Sequence, residues 1–122
     1  MGDLTKDFSR KEFCCKCGRK KCDAASLDMR LVSGLQSLRD LIGTPLYITS
    51  AVRCRWHNNK IGGAAKSKHL LGQAADIQSR ELLPKELARF AEQIPAFEKG
   101  GIGVYKSWVH VDVRGHRARW NG

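Results

Sequence analysis

Trp108-Val109-His110-Val111-Asp112-Val113-Arg114 alternates strictly between apolar and polar side chains, the period of a strand with one buried face. Val109, Val111 and Val113 fall on one side, and Trp108, His110, Asp112 and Arg114 on the other, the side able to line a cleft. An upstream stretch, Ser67-Lys68-His69-Leu70-Leu71-Gly72-Gln73-Ala74-Ala75-Asp76-Ile77, supplies the counterpart. In a strand over roughly 74–78, Ala75 and Ile77 share one face and Asp76 takes the other. Two neighbouring strands then offer Asp76 and His110 on one face of a sheet, with His69 arriving from the loop that enters the first of them. Gly72 allows that loop to turn tightly, whereas on a rigid helix positions seven apart would lie about 10 Å from each other.

His69, Asp76 and His110 make a set of two nitrogens and one oxygen. Structural zinc sites close the metal with four protein ligands, mostly Cys and His, but this set leaves the fourth position of a tetrahedral zinc open. One catalytic Zn2+ and hydrolytic chemistry are therefore expected. An aspartate set between Ala-Ala and Ile is costly to bury unless it is paired or metal-bound, which favours the metal reading. For His57 and His116 the expected role is a hydrogen-bonded core or surface histidine.

A chain of 122 residues supports one hydrophobic core, so a single domain over 1–122 is expected. No run approaches the roughly 18 apolar residues of a membrane span, and Met1-Gly2-Asp3-Leu4-Thr5-Lys6 lacks the apolar block of a secretory signal. Synthesis in the cytoplasm is expected, with release by another route for any action on the cell wall or periplasm. The formal net charge of +10 attracts polyanions, whether nucleic acid, an acidic lipid face or an anionic cell-wall polymer. With three tryptophans and two tyrosines there is no evident stacking platform for bases and no recognition helix, so no specific nucleic-acid partner is expected. Five cysteines, Cys14, Cys15, Cys17, Cys22 and Cys54, cannot all pair within one chain. Cys14-x-x-Cys17 with Cys22 and Cys54 suits a second, structural metal or a disulfide staple but lacks the second close pair of a zinc ribbon; reduced, partly buried thiols are the other reading.

Ser9-Arg10-Lys11-Glu12 is a capping box flanked by Phe8 and Phe13 at the positions of a hydrophobic staple, predicting a short helix that ends before Gly18. Ser26 can cap a second helix with Met29, Val32, Leu35, Leu38, Leu41 and Ile42 as its core stripe and Gly43 as its stop. A strand over 46–50 follows, then a polar loop over 53–68 in which Gly62-Gly63 can fold back over the site. A third helix runs from Pro84 to about Ile94, where Pro95 stops it, and two strands close the chain over 101–105 and 108–114. This order predicts an α+β fold, a small central, mainly antiparallel sheet with flanking helices. Internal repeats, low-complexity segments and linkers are absent.

Three segments together carry a family resemblance: Ser50-Ala-Val-Arg53-Cys-Arg-Trp-His57-Asn58, Gly62-Gly-Ala-Ala-Lys-Ser67-Lys-His69-Leu-Leu-Gly72-Gln-Ala-Ala-Asp76, and Gly101-Ile-Gly-Val-Tyr105-Lys-Ser-Trp108-Val-His110-Val-Asp112-Val-Arg114. They resemble the zinc D-alanyl-D-alanine peptidases, a family of cell-wall carboxypeptidases, vancomycin-resistance dipeptidases and phage endolysins whose fold is shared by the Hedgehog signalling domain. The likeness spans roughly 8–122, including Arg117-Ala-Arg-Trp120-Asn-Gly, and is closest to the compact phage and prophage branch. It implies zinc held by His69, Asp76 and His110 and cleavage of peptide bonds in peptidoglycan stems or muropeptides, with endo- and carboxypeptidase action both open, by a chain taken to be monomeric. Ser67 matches a position that contacts substrate, and Arg53 matches an arginine that holds substrate charge or the developing oxyanion; a structural salt bridge is the alternative for Arg53. Tyr105 and Trp108 are further candidates for the substrate cleft.

The sequence departs from the family pattern in one place. Many relatives carry a glutamate, aspartate or histidine three to six residues before the last ligand as general base, but positions 104–107 read Val-Tyr-Lys-Ser. Asp112, about 7 Å along the same strand face from His110, is the candidate to manage the proton or else to orient a ligand, with Tyr105 as the other candidate for the proton. The missing upstream base also admits a second reading, a zinc-stabilised cell-wall or protein-binding module without catalysis.

Overall fold

The computed structural model describes residues 4–8, 27–51 and 73–122. The helix expected from Ser9, the loop over 53–68 and all five cysteines lie outside the described residues. Among those described, three helices and five strands follow in the order α1 (Met29–Ile42), β1 (Tyr47–Ser50), β2 (Ala74–Gln78), α2 (Pro84–Ala91), α3 (Pro95–Glu98), β3 (Gly101–Val104), β4 (Val109–Asp112) and β5 (Ala118–Asn121). None of these helices is long and apolar enough to cross a membrane.

Helix α1 is capped by Asp28, not by Ser26. The Asp28 carboxylate accepts from the Arg30 backbone N–H at 2.9 Å, satisfying one of the free donors of the first turn. Gly43, at φ 70°, ends the helix by donating its N–H to the Arg39 carbonyl, a left-handed conformation that glycine adopts without a side-chain penalty. The buried stripe is Leu31, Val32, Gly34, Leu35 and Leu38. Met29 and Leu41, expected in the core, are 47% and 43% exposed, because the inward face is narrow and both lie off its centre at the helix ends. Gly34 permits close packing on α3, since a Cβ there would approach the Phe97 ring to 2.9 Å.

The third helix is shorter than expected. Its ladder gives way after Ala91 to tight i to i−3 bonds, Gln93 N–H to Phe90 O and Ile94 N–H to Ala91 O. Pro95 holds Ile94 extended, and rather than only stopping the chain it opens α3 as the first residue of a new turn. At the other end, Glu86 reaches back to the Leu83 N–H at 2.9 Å.

The sheet is ordered β1-β2-β4-β3-β5, with every pairing antiparallel except β3 with β5. The mainly antiparallel α+β fold is therefore as expected, and β5 is an addition to it. Ala75, Ile77, Ile102, Val109, Val111 and Val113 face one way and join Leu31, Val32, Leu35, Leu38, Leu87, Ala91, Phe97 and Phe8 in one core. The predicted alternation in β2 and β4 holds. Strand β5 is stapled to the helical side by Arg119, whose Nε and Nη2 donate to Glu92 at 2.7 and 2.6 Å, and by Arg117, within 3.2 Å of the same carboxylate. The Arg119 guanidinium holds the Glu92 carboxyl below its ordinary range.

Two outcomes follow from this packing. Leu35→Ala should cost about 2–5 kcal/mol in urea unfolding and Leu41→Ala no more than about 0.5 kcal/mol, which separates the buried stripe from the exposed end. A depressed carboxylate stabilises the fold above its unfolded pKa and loses that contribution as pH falls through its lower folded value. Glu92→Gln should therefore flatten the loss of thermal stability between roughly pH 5 and pH 3.

Candidate metal centre

Strand register brings one residue from each of four strands into a row: Asp76 opposite His110, His110 opposite Gly103, and Gly103 opposite Trp120, while a bulge on β1 sets Ser50 opposite Asp76. Directly paired residues point to the same face, so this row lies opposite the core. Asp112 follows in the next row, opposite Ala74 and beside Gly101. The polar face of β4 is not open: His110 is 8% exposed and Asp112 is fully buried.

Both imidazole nitrogens of His110 face carboxylates. Nε2 lies 2.8 Å from Asp112 Oδ2, and Nδ1 lies 3.3 Å from Asp76 Oδ1. Asp112 is saturated with donors. Its Oδ1 accepts from the Gly101 N–H at 2.8 Å, the Arg114 N–H at 3.1 Å and Arg114 Nε at 2.9 Å, while Oδ2 accepts from Arg114 Nη2 at 2.7 Å. Burial alone would push this carboxyl up, but His110 and Arg114 outweigh burial and hold it far below the usual carboxylate range. For His110, burial pulls downward, and hydrogen bonds to Asp112 and Asp76 overcome it and leave the imidazole raised.

This arrangement tests whether the residues suit a metal. An ionised Asp112 only accepts, so it places the proton of a neutral His110 on Nε2 and leaves a lone pair on Nδ1. That lone pair faces a carboxylate oxygen in a largely buried site, a contact that is favourable only with a proton or a cation between the two atoms. Two zinc ligands at the usual N and O bond lengths in a tetrahedral shell lie about 3.3 Å apart, which matches the observed separation. A carboxylate behind the distal nitrogen is also the common support of a metal-ligating histidine. Asp76 and His110 therefore fit a zinc edge. Among the described residues no group of three or more His, Cys, Asp or Glu forms a complete metal site. The third candidate ligand, His69, lies outside them, as do Arg53 and Ser67.

Tyr105 and Trp108 sit on the β3–β4 turn, closed by the Tyr105 N–H to the Trp108 carbonyl at 2.9 Å. Their rings stack at 4.7 Å and 7°. Gln78 on β2 steadies the turn by donating to the Ser107 carbonyl at 2.9 Å. Two contributors went unrecognised from sequence. Arg114, read only as part of a polar face, is the fork that holds Asp112, and Trp120, on the unforeseen β5, donates its Nε1–H to Tyr105 Oη at 2.8 Å. The alternation of Ala118-Arg119-Trp120-Asn121 was the one signal for that strand.

A family model described as Peptidase M15 matches residues 6–112, a span that takes in Asp76 and His110 and ends on Asp112. A comparison with curated proteins returns no match.

Gly101 leaves room for the Asp112 carboxylate, which a Cβ at that position would strike; a Cβ on Gly115 would meet nothing within 4 Å. Gly101→Ala should therefore destabilise by about 1–3 kcal/mol in urea unfolding, and Gly115→Ala should stay within about 0.5 kcal/mol of the parent.

Proposed function

Because the chain belongs to the Peptidase M15 family, a family of metallopeptidases, we propose that it is a zinc-dependent hydrolase that cleaves peptide bonds in peptidoglycan stem peptides. The observation that carries this reading is the 3.3 Å approach of His110 Nδ1 to Asp76 Oδ1, with Asp112 buried behind the other nitrogen. In this reading His69, Asp76 and His110 hold the metal. Zinc, when bound, supplies Lewis acidity toward the scissile carbonyl and toward water.

The chain's own residues divide the remaining work. Asp112 holds the His110 proton at Nε2 and so keeps Nδ1 directed at Asp76; with both its oxygens taken by donors, it suits orientation better than proton transfer. Arg114 balances the Asp112 charge and keeps the carboxylate ionised. In this reading the stacked Tyr105 and Trp108 offer an apolar surface to a stem peptide. Arg53, by the family resemblance, carries the negative charge that develops on the carbonyl oxygen, and Ser67 contacts substrate. Action in phage lysis or cell-wall remodelling belongs to the same proposal.

A second reading, a zinc-stabilised module that binds cell wall without cleaving it, is favoured by one observation. Positions 104–107 carry no carboxylate, and the one beside His110 on β4 is saturated.

The two readings part in one experiment, in which zinc content is measured by atomic absorption and the release of D-alanine or stem fragments from purified peptidoglycan is followed. The peptidase reading expects about one zinc per chain and hydrolysis, with both lost in His69→Ala, and zinc affinity about 10–100-fold weaker in Asp112→Asn. Full zinc with retention on peptidoglycan and no turnover would establish the binding module instead. Hydrolysis indifferent to His69→Ala would refute both.

A further inference from the structure

Trp120 lies beyond the residues that match the family, yet it ends the row that carries Asp76 and His110. The residue between it and His110 is Gly103, and a Cβ there would run into the indole. The missing side chain lets Trp120 lean across β3 until its ring centroid is 5.0 Å from that of His110, at an interplanar angle of 52°. The indole is itself held at two points: Nε1–H donates to Tyr105 Oη at 2.8 Å, and the Arg114 guanidinium lies 5.2 Å from its ring centre. That same guanidinium grips Asp112, which grips His110 Nε2.

We propose that Trp120 is a positioning residue for the metal centre, fixing the plane of the His110 imidazole and joining it to the Tyr105–Trp108 wall. One hydrogen bond at Nε2 sets where the ring points but leaves it free to tilt about that bond. A tilted aromatic neighbour at 5.0 Å removes the remaining freedom, because ring pairs have preferred angles and an indole anchored at both its N–H and its face cannot follow a rocking imidazole. A ligand set prearranged in this way loses less freedom when it takes up an ion. The same chain of contacts links substrate to metal: displacement of the Tyr105 hydroxyl shifts the acceptor of the indole N–H, and through the indole the ring of a ligand. The inference rests on the reading of His110 as a zinc ligand.

The test compares Trp120→Phe, which keeps a ring beside His110, with Trp120→Leu, which fills much of the space without one, and with Trp120→Ala. Zinc affinity is read by chelator competition on protein shown to be folded by circular dichroism, and the His110 ring-proton shifts are read by NMR on the metal-free protein. The expected result is zinc binding about 10–100-fold weaker for Leu and Ala, with Phe, which keeps a ring but loses the N–H anchor, recovering part of the loss. In the metal-free protein the ring protons should move away from their indole-shifted positions in Leu and Ala. Should the Ala variant not fold, the Phe and Leu pair decides alone. Equal zinc affinity in Phe and Leu would overturn the proposal, since a purely space-filling tryptophan predicts that result. A parent protein that takes up no zinc would instead overturn the metal reading, and the ring shifts would still decide the contact.

Discussion

The buried carboxylate of Asp112 is the constraint on which the polar side of the sheet depends. An ionised group without exposure survives there only because donors from three directions reach it: the backbone of β3 at Gly101, the fork of Arg114 and the imidazole of His110. Each donor is in turn fixed by the carboxylate. Loss of any one would leave a buried charge short of a partner, so the strand edge, the arginine and the histidine are coupled energetically as well as geometrically. The two glycines of β3 follow from the same demand. Gly101 makes room for the carboxylate and Gly103 for the indole, and neither could carry a side chain without pushing the site apart.

Cross-strand register turns that local cluster into a surface. Antiparallel pairing of β2 with β4 sets Asp76 opposite His110, while the parallel addition of β5 sets Trp120 at the far end of the same row. A slip of one residue in either pairing would send these side chains into the apolar core, so burial of Val109, Val111, Ala75 and Ile77 on one face enforces the register that aligns the polar groups on the other. The core thereby positions the site without touching it.

Period-two alternation made the site strands readable in advance, because Val109, Val111 and Val113 announce the buried face and leave His110 and Asp112 only one place to go. Residue type then separated Asp76 and His110 from ordinary surface groups. The direct bond between His110 and Asp112 was harder to see: their backbone positions are about 7 Å apart along the strand, and only the lean of both side chains closes the gap to 2.8 Å. Strand β5 left little trace, being three half-exposed residues and the exposed Asn121, held by parallel pairing and by Glu92, which is 27 positions from Arg119. The α1 stripe was read too widely. Hydropathy placed Met29 and Leu41 inside and gave no weight to Gly34, whose burial depends on the Phe97 ring from a distant turn.

The carboxylates narrow what proton chemistry this site can perform. Asp112 is committed to Arg114 and His110, and on other elements Glu86, Glu92, Asp28 and Asp7 are engaged with Leu83, Arg119, Arg30 and Gln36. Positions 52–72 contain no Asp or Glu, and their only titratable groups near neutrality, apart from Cys54, are His57 and the candidate ligand His69. Asp76, a candidate ligand, lies against one nitrogen of His110, whose other nitrogen is taken by Asp112. On the peptidase reading, the candidate proton acceptors among the described residues of this row are a ligand carboxylate and an imidazole, since Asp112 is held by donors at both oxygens. On that reading both acceptors depend on where the His110 ring stands, so the orientation of one imidazole would bear on metal retention and proton movement together.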